Sequence, residues 1–522
     1  MIPEYQIRNA VIVDGSGSPG KKGCLDLNNG IIEAVGCREH PAQHVIDAEG
    51  MIAAPGFIDV HTHADAYVGD FECMKSFLSQ GVTTCVTGNC GFSVFPLKGR
   101  AGKEHLRYGA PVLGEARHSA GYKSFQEFAR QNRSAFVNVA ALTGHGALRT
   151  NVESRFPNPW EIEQMARKLE EQLEEGAAGL SLGLIYYPGS VTKREEFVKL
   201  SRIVQKHGKV LAVHLRDEGL RICDSMEEML SLAQETGVHI HFSHHKLMGV
   251  KSWGWSEKTL ELFRQAKKGG LELSLDAYPY TSGASTAAVL LPPWVCADGM
   301  EKTMERLKSR RILEKIKKEL RQDIEGWENL SRSCGWANLV AVKAGPDGRE
   351  ISGKSIKELA GADGCGEVEK LAELIVREKG KLCVAIHGMS QEDVDRIIQF
   401  PDTLIGSDGL FGPGAAHPRR YGAFAKFLRR YAAEKKVLTL EEAVHKITGL
   451  AAETFGIRER GFLRPGYAAD VVIFDQKKIS DRSDYQRPEA LAEGVKYVFL
   501  NGQIVLDNGT FFCKRAGRTL HI

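Results

Sequence analysis

The stretch Pro55-Gly56-Phe57-Ile58-Asp59-Val60-His61-Thr62-His63 decides how the rest of the chain is read. A Pro-Gly turn opens it, a short apolar run follows, and two imidazoles close it. Phe57, Ile58 and Val60 have the aromatic and β-branched character of a buried strand. Spaced at i and i+2, the two histidines face one side of the strand or its exit. Two neutral imidazoles on one side can chelate a divalent metal. A bare pair of this kind is as often two surface histidines as a ligand pair; the buried run leading into it favours ligands.

The same pattern recurs along the chain. Apolar, β-branched runs lie near 56–61, 82–89, 136–144, 179–185, 210–215, 239–244, 272–278 and 403–407, and helical periodicity separates them, as over 160–175 and 193–207. Strand–helix alternation repeated eight times predicts a parallel (β/α)8 barrel over 56–461. A ninth run, 381–387, does not fit that count. It is assigned to an insertion of about 285–380 that lids the site, together with the charged helical run 300–322. Before and after the barrel, short alternating runs with Asn28-Asn29-Gly30 and Asn501-Gly502 turns predict hairpins. Neither terminus has enough strands for a core, so 1–55 and 462–522 are expected to build one small β-domain together.

Composition excludes several classes. Across 522 residues there are 69 Lys+Arg and 66 Asp+Glu, a net charge of +3 without basic blocks, so no nucleic-acid partner is expected. The 11 cysteines are odd in number and show no repeated CxxC spacing, which suits a reducing compartment and free thiols. No basic head precedes an apolar run at the N-terminus, and the glycine-broken run 177–187 is too short to span a bilayer. The expectation is a cytoplasmic protein that meets no membrane.

In such a barrel, chemistry collects at the C-terminal strand ends. Those ends carry His61 and His63, Cys90, His214, His244 and Asp408. Most free cysteines are buried filler, but Gly88 and Gly91 around Cys90 permit close backbone approach. His214 and His244 would singly read as core histidines; with the others they form a nitrogen and sulfur set suited to Zn²⁺. By the strand period His245 should point away from the mouth. Asp408-Gly409 is a common turn pair, yet its place at a strand end beside the ligands favours a general base.

These motifs resemble the D-aminoacylase (N-acyl-D-amino-acid deacylase) family of the amidohydrolase superfamily, nearly end to end. The likeness runs through His61-Thr62-His63, Gly88-Asn89-Cys90-Gly91-Phe92-Ser93, His214-Leu215-Arg216-Asp217-Glu218, Ser243-His244-His245-Lys246, Ser407-Asp408-Gly409, His417-Pro418-Arg419 and Arg464-Pro465-Gly466-Tyr467-Ala468-Ala469-Asp470. Related cyclic-amide hydrolases bridge two metals with a carbamylated Lys on the fourth strand; here 179–185 offers none. Ala64 departs from close relatives, which more often carry an acid there.

The resemblance implies a distorted TIM barrel with a small β-sandwich domain. It implies one tight zinc on Cys90, His214 and His244, and a second, weaker metal position at His61, His63 and Cys90, with Asp408 at the same centre. Asp408 would take a proton from a zinc-bound hydroxide's parent water and pass it to the leaving amine. Lys246, Arg419 and Tyr186 would bind the carboxylate of a small-molecule N-acyl-D-amino acid, with Tyr278 and Ser285 lining the pocket. D-selectivity rests on the resemblance alone.

The chemistry is coherent. Zinc lowers the pKa of bound water toward 7, one carboxylate can serve as base and then acid, and a guanidinium grips a carboxylate bidentately. Two alternatives stand beside this reading: a cyclic-amide hydrolase or deaminase on the same barrel, and a scaffold that has lost catalysis. Absence of the fourth-strand Lys counts against the first, and retention of all six ligand positions against the second. Glu218 is read as a structural partner rather than a deaminase acid, and His387 as packing within the insertion. His145 is read as supporting the site or facing substrate.

Overall fold

In a computed structural model of the chain, residues 2–115, 121–342, 351–412 and 417–522 are described. Eight parallel strands form the barrel: Phe57–Asp59, Val82–Thr87, a third split into Asn138–Ala141 and Thr143–Gly144, Gly179–Gly183, Val210–His214, His239–Phe242, Leu273–Ala277 and Thr403–Ile405. The split distorts the wall. Asn138–Ala141 pairs with the second strand, and Thr143–Gly144 pairs with the fourth. The first and eighth strands close the ring at the mouth, where the Asp408 amide donates to His61 O at 2.7 Å and the His63 amide to Gly409 O at 3.0 Å. Asp59 ties the same seam, accepting from the Ser407 amide at 2.8 Å.

Local sequence explains the helices. Asn158 caps Pro159–Glu174 in a capping box with Glu161, and Met165, Ala166, Leu169 and Leu173 form its buried stripe. Arg194–Lys206 buries Phe197, Leu200 and Val204 in the same way.

Strands from both termini join in one nine-stranded sheet, where Ile52–Pro55 pairs antiparallel with Val471–Phe474. Strand alternation serves two cores at once. Ala53, Val471 and Ile473 enter the small-domain core, whereas Ile52, Ala54, Val472 and Phe474 face the main one. Both predicted hairpin turns have φ > 0 at each central residue, Asn29-Gly30 and Asn501-Gly502, as a type I′ turn requires. The last residues leave this sheet: Leu520 donates to Val139 O and Ile522 to Gly176 O, plugging the barrel floor beside Ala178, Val210 and Phe455.

The ninth run, Cys383–His387, pairs antiparallel with Ser282–Thr286 and Leu339–Val342, outside the barrel. The charged run 300–322 forms two helices, Met300–Leu307 and Arg310–Leu320. Among the described residues no helix is long and apolar enough to cross a membrane.

Two histidines away from the mouth carry a pH signature. Burial lowers His105 and His239 to about 4. Below the unfolded imidazole pKa of about 6.5 the unfolded chain binds more protons than the folded one. Stability is therefore full above pH 6.5 and falls as pH drops through the window to about 4. The expected loss is on the order of 2 kcal/mol per histidine. Urea melts of the parent and of His105→Gln between pH 4 and 7 check this; the variant's curve should be the flatter.

Candidate active site

The six residues at the strand exits meet in one place. Cys90 Sγ lies 3.4 Å from His61 Nε2 and 3.3 Å from His244 Nε2. Asp408 Oδ1 stands 3.3 Å from His63 Nε2 and 3.6 Å from His61 Nε2. Three buried ligand groups result: His61, Cys90 and His244; His61, His63 and Asp408; His214, Glu218 and His244. Backbone strain clusters here too. Cys90, His244 and Asp408 all have positive φ, at 55°, 36° and 47°, a conformation rare for such residues outside functional sites. The glycines around Cys90 are required: a Cβ on Gly88 would stand 2.0 Å from Leu142 O, and φ is 77° there and 75° at Gly91.

A metal fits this donor set. His63 Nδ1 and both nitrogens of His214 are buried without a hydrogen-bond partner among the described residues. Burial holds His214 and His244 well below the usual imidazole range, in the neutral form that ligates. The second nitrogens are oriented as ligating histidines are. His61 Nδ1 faces Asp276 Oδ2 at 3.3 Å, and His244 Nδ1 faces both Lys246 Nζ at 2.7 Å and Glu218 Oε1 at 3.2 Å. Asp276 is held in turn by His241 Nε2 at 2.8 Å. Burial alone would raise the Asp276 carboxyl, but His61 and His241 outweigh it and hold it well below the usual range. Cys90 is pushed up by burial and eased down by His61; a bound cation would deprotonate it. The fourth strand, Gly179–Gly183, contributes no lysine.

The residues expected to hold substrate line the same cavity: Tyr186, Lys246, Tyr278, Ser285 and Arg419, beside Cys90, His214, His244 and Asp408. Their partners are more specific than sequence could tell. Arg419 is fully buried and pairs with Asp408 Oδ2 at 2.8 Å. Lys246 donates to Glu218 at 2.7 Å, and Tyr186 Oη lies 2.8 Å from Ser285 Oγ. Tyr278 Oη has no hydrogen-bond partner among the described residues. Burial would raise the Asp408 carboxyl, but Arg419, His63 and His61 hold it well below its usual range.

Other histidines sort as follows. His245 points away, to Thr259 Oγ1 at 2.9 Å. His145 bonds Glu196 at 2.7 Å in a buried cluster with Arg149, outside the cavity lining. His387 packs against Tyr485. Asp276, Asp59 and Glu328 were not singled out on sequence; an acidic residue inside an apolar strand was the available signal for the first two.

A family model described as "Amidohydrolase family" matches residues 44–506. D-aminoacylase from Alcaligenes xylosoxydans xylosoxydans is 34% identical, covering 98% of this chain and 96% of the relative. The chain belongs to the amidohydrolase family, in its D-aminoacylase branch. N-acyl-D-aspartate deacylase from the same organism is also 34% identical, over 99% of this family member and 95% of that protein. Among solved structures, N-acyl-D-glutamate deacylase from Bordetella bronchiseptica, complexed with zinc and a phosphonate mimic of the tetrahedral intermediate, superposes with a TM-score of 0.84. It is 30% identical, with all of both chains covered.

Proposed function

We propose that the protein hydrolyses the amide bond of N-acyl-D-amino acids, releasing a carboxylate and a free D-amino acid, with zinc at the barrel mouth. The observation that carries this is the cavity that joins a cysteine–histidine ligand set to two cations, Lys246 and Arg419. Cys90, His214 and His244 would hold the tight zinc, and His61, His63 and Cys90 a second, weaker ion. Zinc there lowers the pKa of a bound water and polarises the scissile carbonyl.

The chain's own groups do the rest. Asp408, kept ionised beside Arg419, takes a proton from the attacking water and returns it to the amine nitrogen, without which the amine leaves poorly. Arg419 and Lys246 grip the substrate carboxylate. A carboxylate arriving at Arg419 shares the guanidinium with Asp408. Tyr186, Tyr278 and Ser285 line the pocket, and Tyr278 Oη, which makes no hydrogen bond among the described residues, can donate to substrate. The free cysteines suit a reducing compartment, supporting a cytoplasmic enzyme with a small-molecule substrate. Amine release from N-acetyl-D-amino acids, abolished by chelation and restored by zinc, is the test; turnover indifferent to zinc would contradict the reading.

A further inference from the structure

We propose that His239, Ser274 and His241 are positioning residues, a chain inside the barrel that runs from its floor to Asp276 and fixes the ligating nitrogen of His61. The weaker metal position would then depend on residues far below it; this rests on the two-position metal reading above. Around Phe455 at the barrel floor, five other strands supply apolar side chains: Ile58, Val86, Ala140, Ala212 and Leu404. That is the usual filling of such a barrel. The sixth and seventh strands send in polar groups instead. By strand alternation His239 and His241 share one face of the sixth, and Ser274 and Asp276 share one face of the seventh. His241 stands beside Ser274 in the register of the pair, and its ring packs on Phe455 at 5.1 Å.

Polar groups buried there cost stability unless they are hydrogen-bonded, and these bond one another in sequence. His239 Nε2 lies 2.9 Å from Ser274 Oγ, and Ser274 Oγ lies 2.8 Å from His241 Nδ1. His241 Nε2 is 2.8 Å from Asp276 Oδ2, and the same oxygen is 3.3 Å from His61 Nδ1. The outer end, His239, lines a cavity on the floor with Val210, Phe455 and Ile522. The inner end is a metal ligand.

The chain fixes where the protons sit. An ionised carboxylate only accepts, so both imidazoles meet Asp276 with an N–H. The single proton of a ligating His61 is then on Nδ1, and Nε2, 3.4 Å from Cys90 Sγ, keeps the lone pair a metal needs. With its own proton on Nε2, His241 accepts at Nδ1 from the Ser274 hydroxyl, and that oxygen accepts from His239 Nε2. Every bond therefore points toward Asp276. Oδ2 takes both of its bonds, while Oδ1 has no hydrogen-bond partner among the described residues. His241 is thus the second hold on the carboxylate that orients His61. His244 has a different support, its Nδ1 facing Lys246 and Glu218. The chain should act on the His61–His63 position and spare the tight zinc.

The experiment titrates further zinc into full-length protein that already carries its first zinc, and reads affinity by calorimetry. In His241→Leu the second ion should bind about 10- to 100-fold more weakly, the usual cost of losing a group that orients a ligand. The first zinc should survive dialysis. His241→Gln, whose amide N–H can meet Asp276, should recover most of the loss. Ser274→Ala, which leaves His241 in place, should weaken the second ion by a smaller factor, and it carries the test if His241→Leu does not fold. A purely structural role would lower the melting temperature without separating the two ions and without rescue by glutamine. A second ion bound as tightly in His241→Leu and Ser274→Ala as in the parent, or both ions weakened alike with no rescue, overturns the inference and leaves the deacylase reading intact. A parent that takes up one zinc and no second overturns the inference together with the second metal position. A parent that holds no zinc overturns the deacylase reading as well.

Discussion

Cys90→Ala is expected to strip the zinc and to lower kcat/KM by about 10³-fold or more, the equivalent of losing several kcal/mol of metal stabilisation. Its sulfur is within 3.4 Å of His61 Nε2 and 3.3 Å of His244 Nε2, so it would serve both of the proposed metal positions. Alanine occupies the same left-handed backbone position at no greater strain, and Gly88 and Gly91 keep their turn. The zinc-free fold should therefore survive. Two readings separate metal loss from misfolding: zinc per chain after dialysis, and the rise in melting temperature on adding zinc, which binding to the folded state alone produces. Cys90→Ala should lose both and keep its circular dichroism. Retained zinc with retained activity would remove Cys90 from the metal site.

Asp408→Asn is expected to lower kcat by about 10²–10⁴-fold, the usual contribution of a positioned acid–base group, while the zinc on Cys90, His214 and His244 stays. The amide keeps the shape of the carboxylate but cannot carry the proton. A structural cost accompanies the change. Arg419 is fully buried against Asp408 at 2.8 Å, and removing one member of a buried pair costs roughly 3–5 kcal/mol. Rates must then be compared well below the variant's melting temperature. Zinc lost along with activity would make Asp408 mainly a ligand instead of a proton carrier.

The strand exits were legible because each is a violation of pattern. An apolar run that ends on His61-Thr62-His63, or on Cys90 between glycines, has no packing reason to do so. The hairpins at both ends were legible for the opposite reason, since Asn-Gly satisfies a turn whose backbone needs positive φ. What could not be read was pairing across the chain. Asp276 meets His61 over a separation of 215 residues, and Arg419 and Lys246 look like free cations until the fold sets Asp408 and Glu218 against them. Asp59 stands inside the deciding stretch itself, yet its partner, Ser407, lies 348 residues further along the chain. Glu328 carries no periodic signal, because it sits in an irregular turn whose position depends on Asn329 reaching back to Leu320 and Gln322. The split in the third strand at Leu142 and the passage of the last residues beneath the barrel were equally hidden, both being settled by tertiary packing.

Zinc-dependent hydrolysis of N-acyl-D-amino acids can be read from a single assay. Amine release from matched N-acetyl-D- and N-acetyl-L-amino acids is followed with zinc supplied, then chelated, then restored. Turnover of the D-enantiomers alone is expected, lost with chelation and regained with zinc. No turnover of either enantiomer by protein that has bound zinc, or release from the L-series instead, would contradict it.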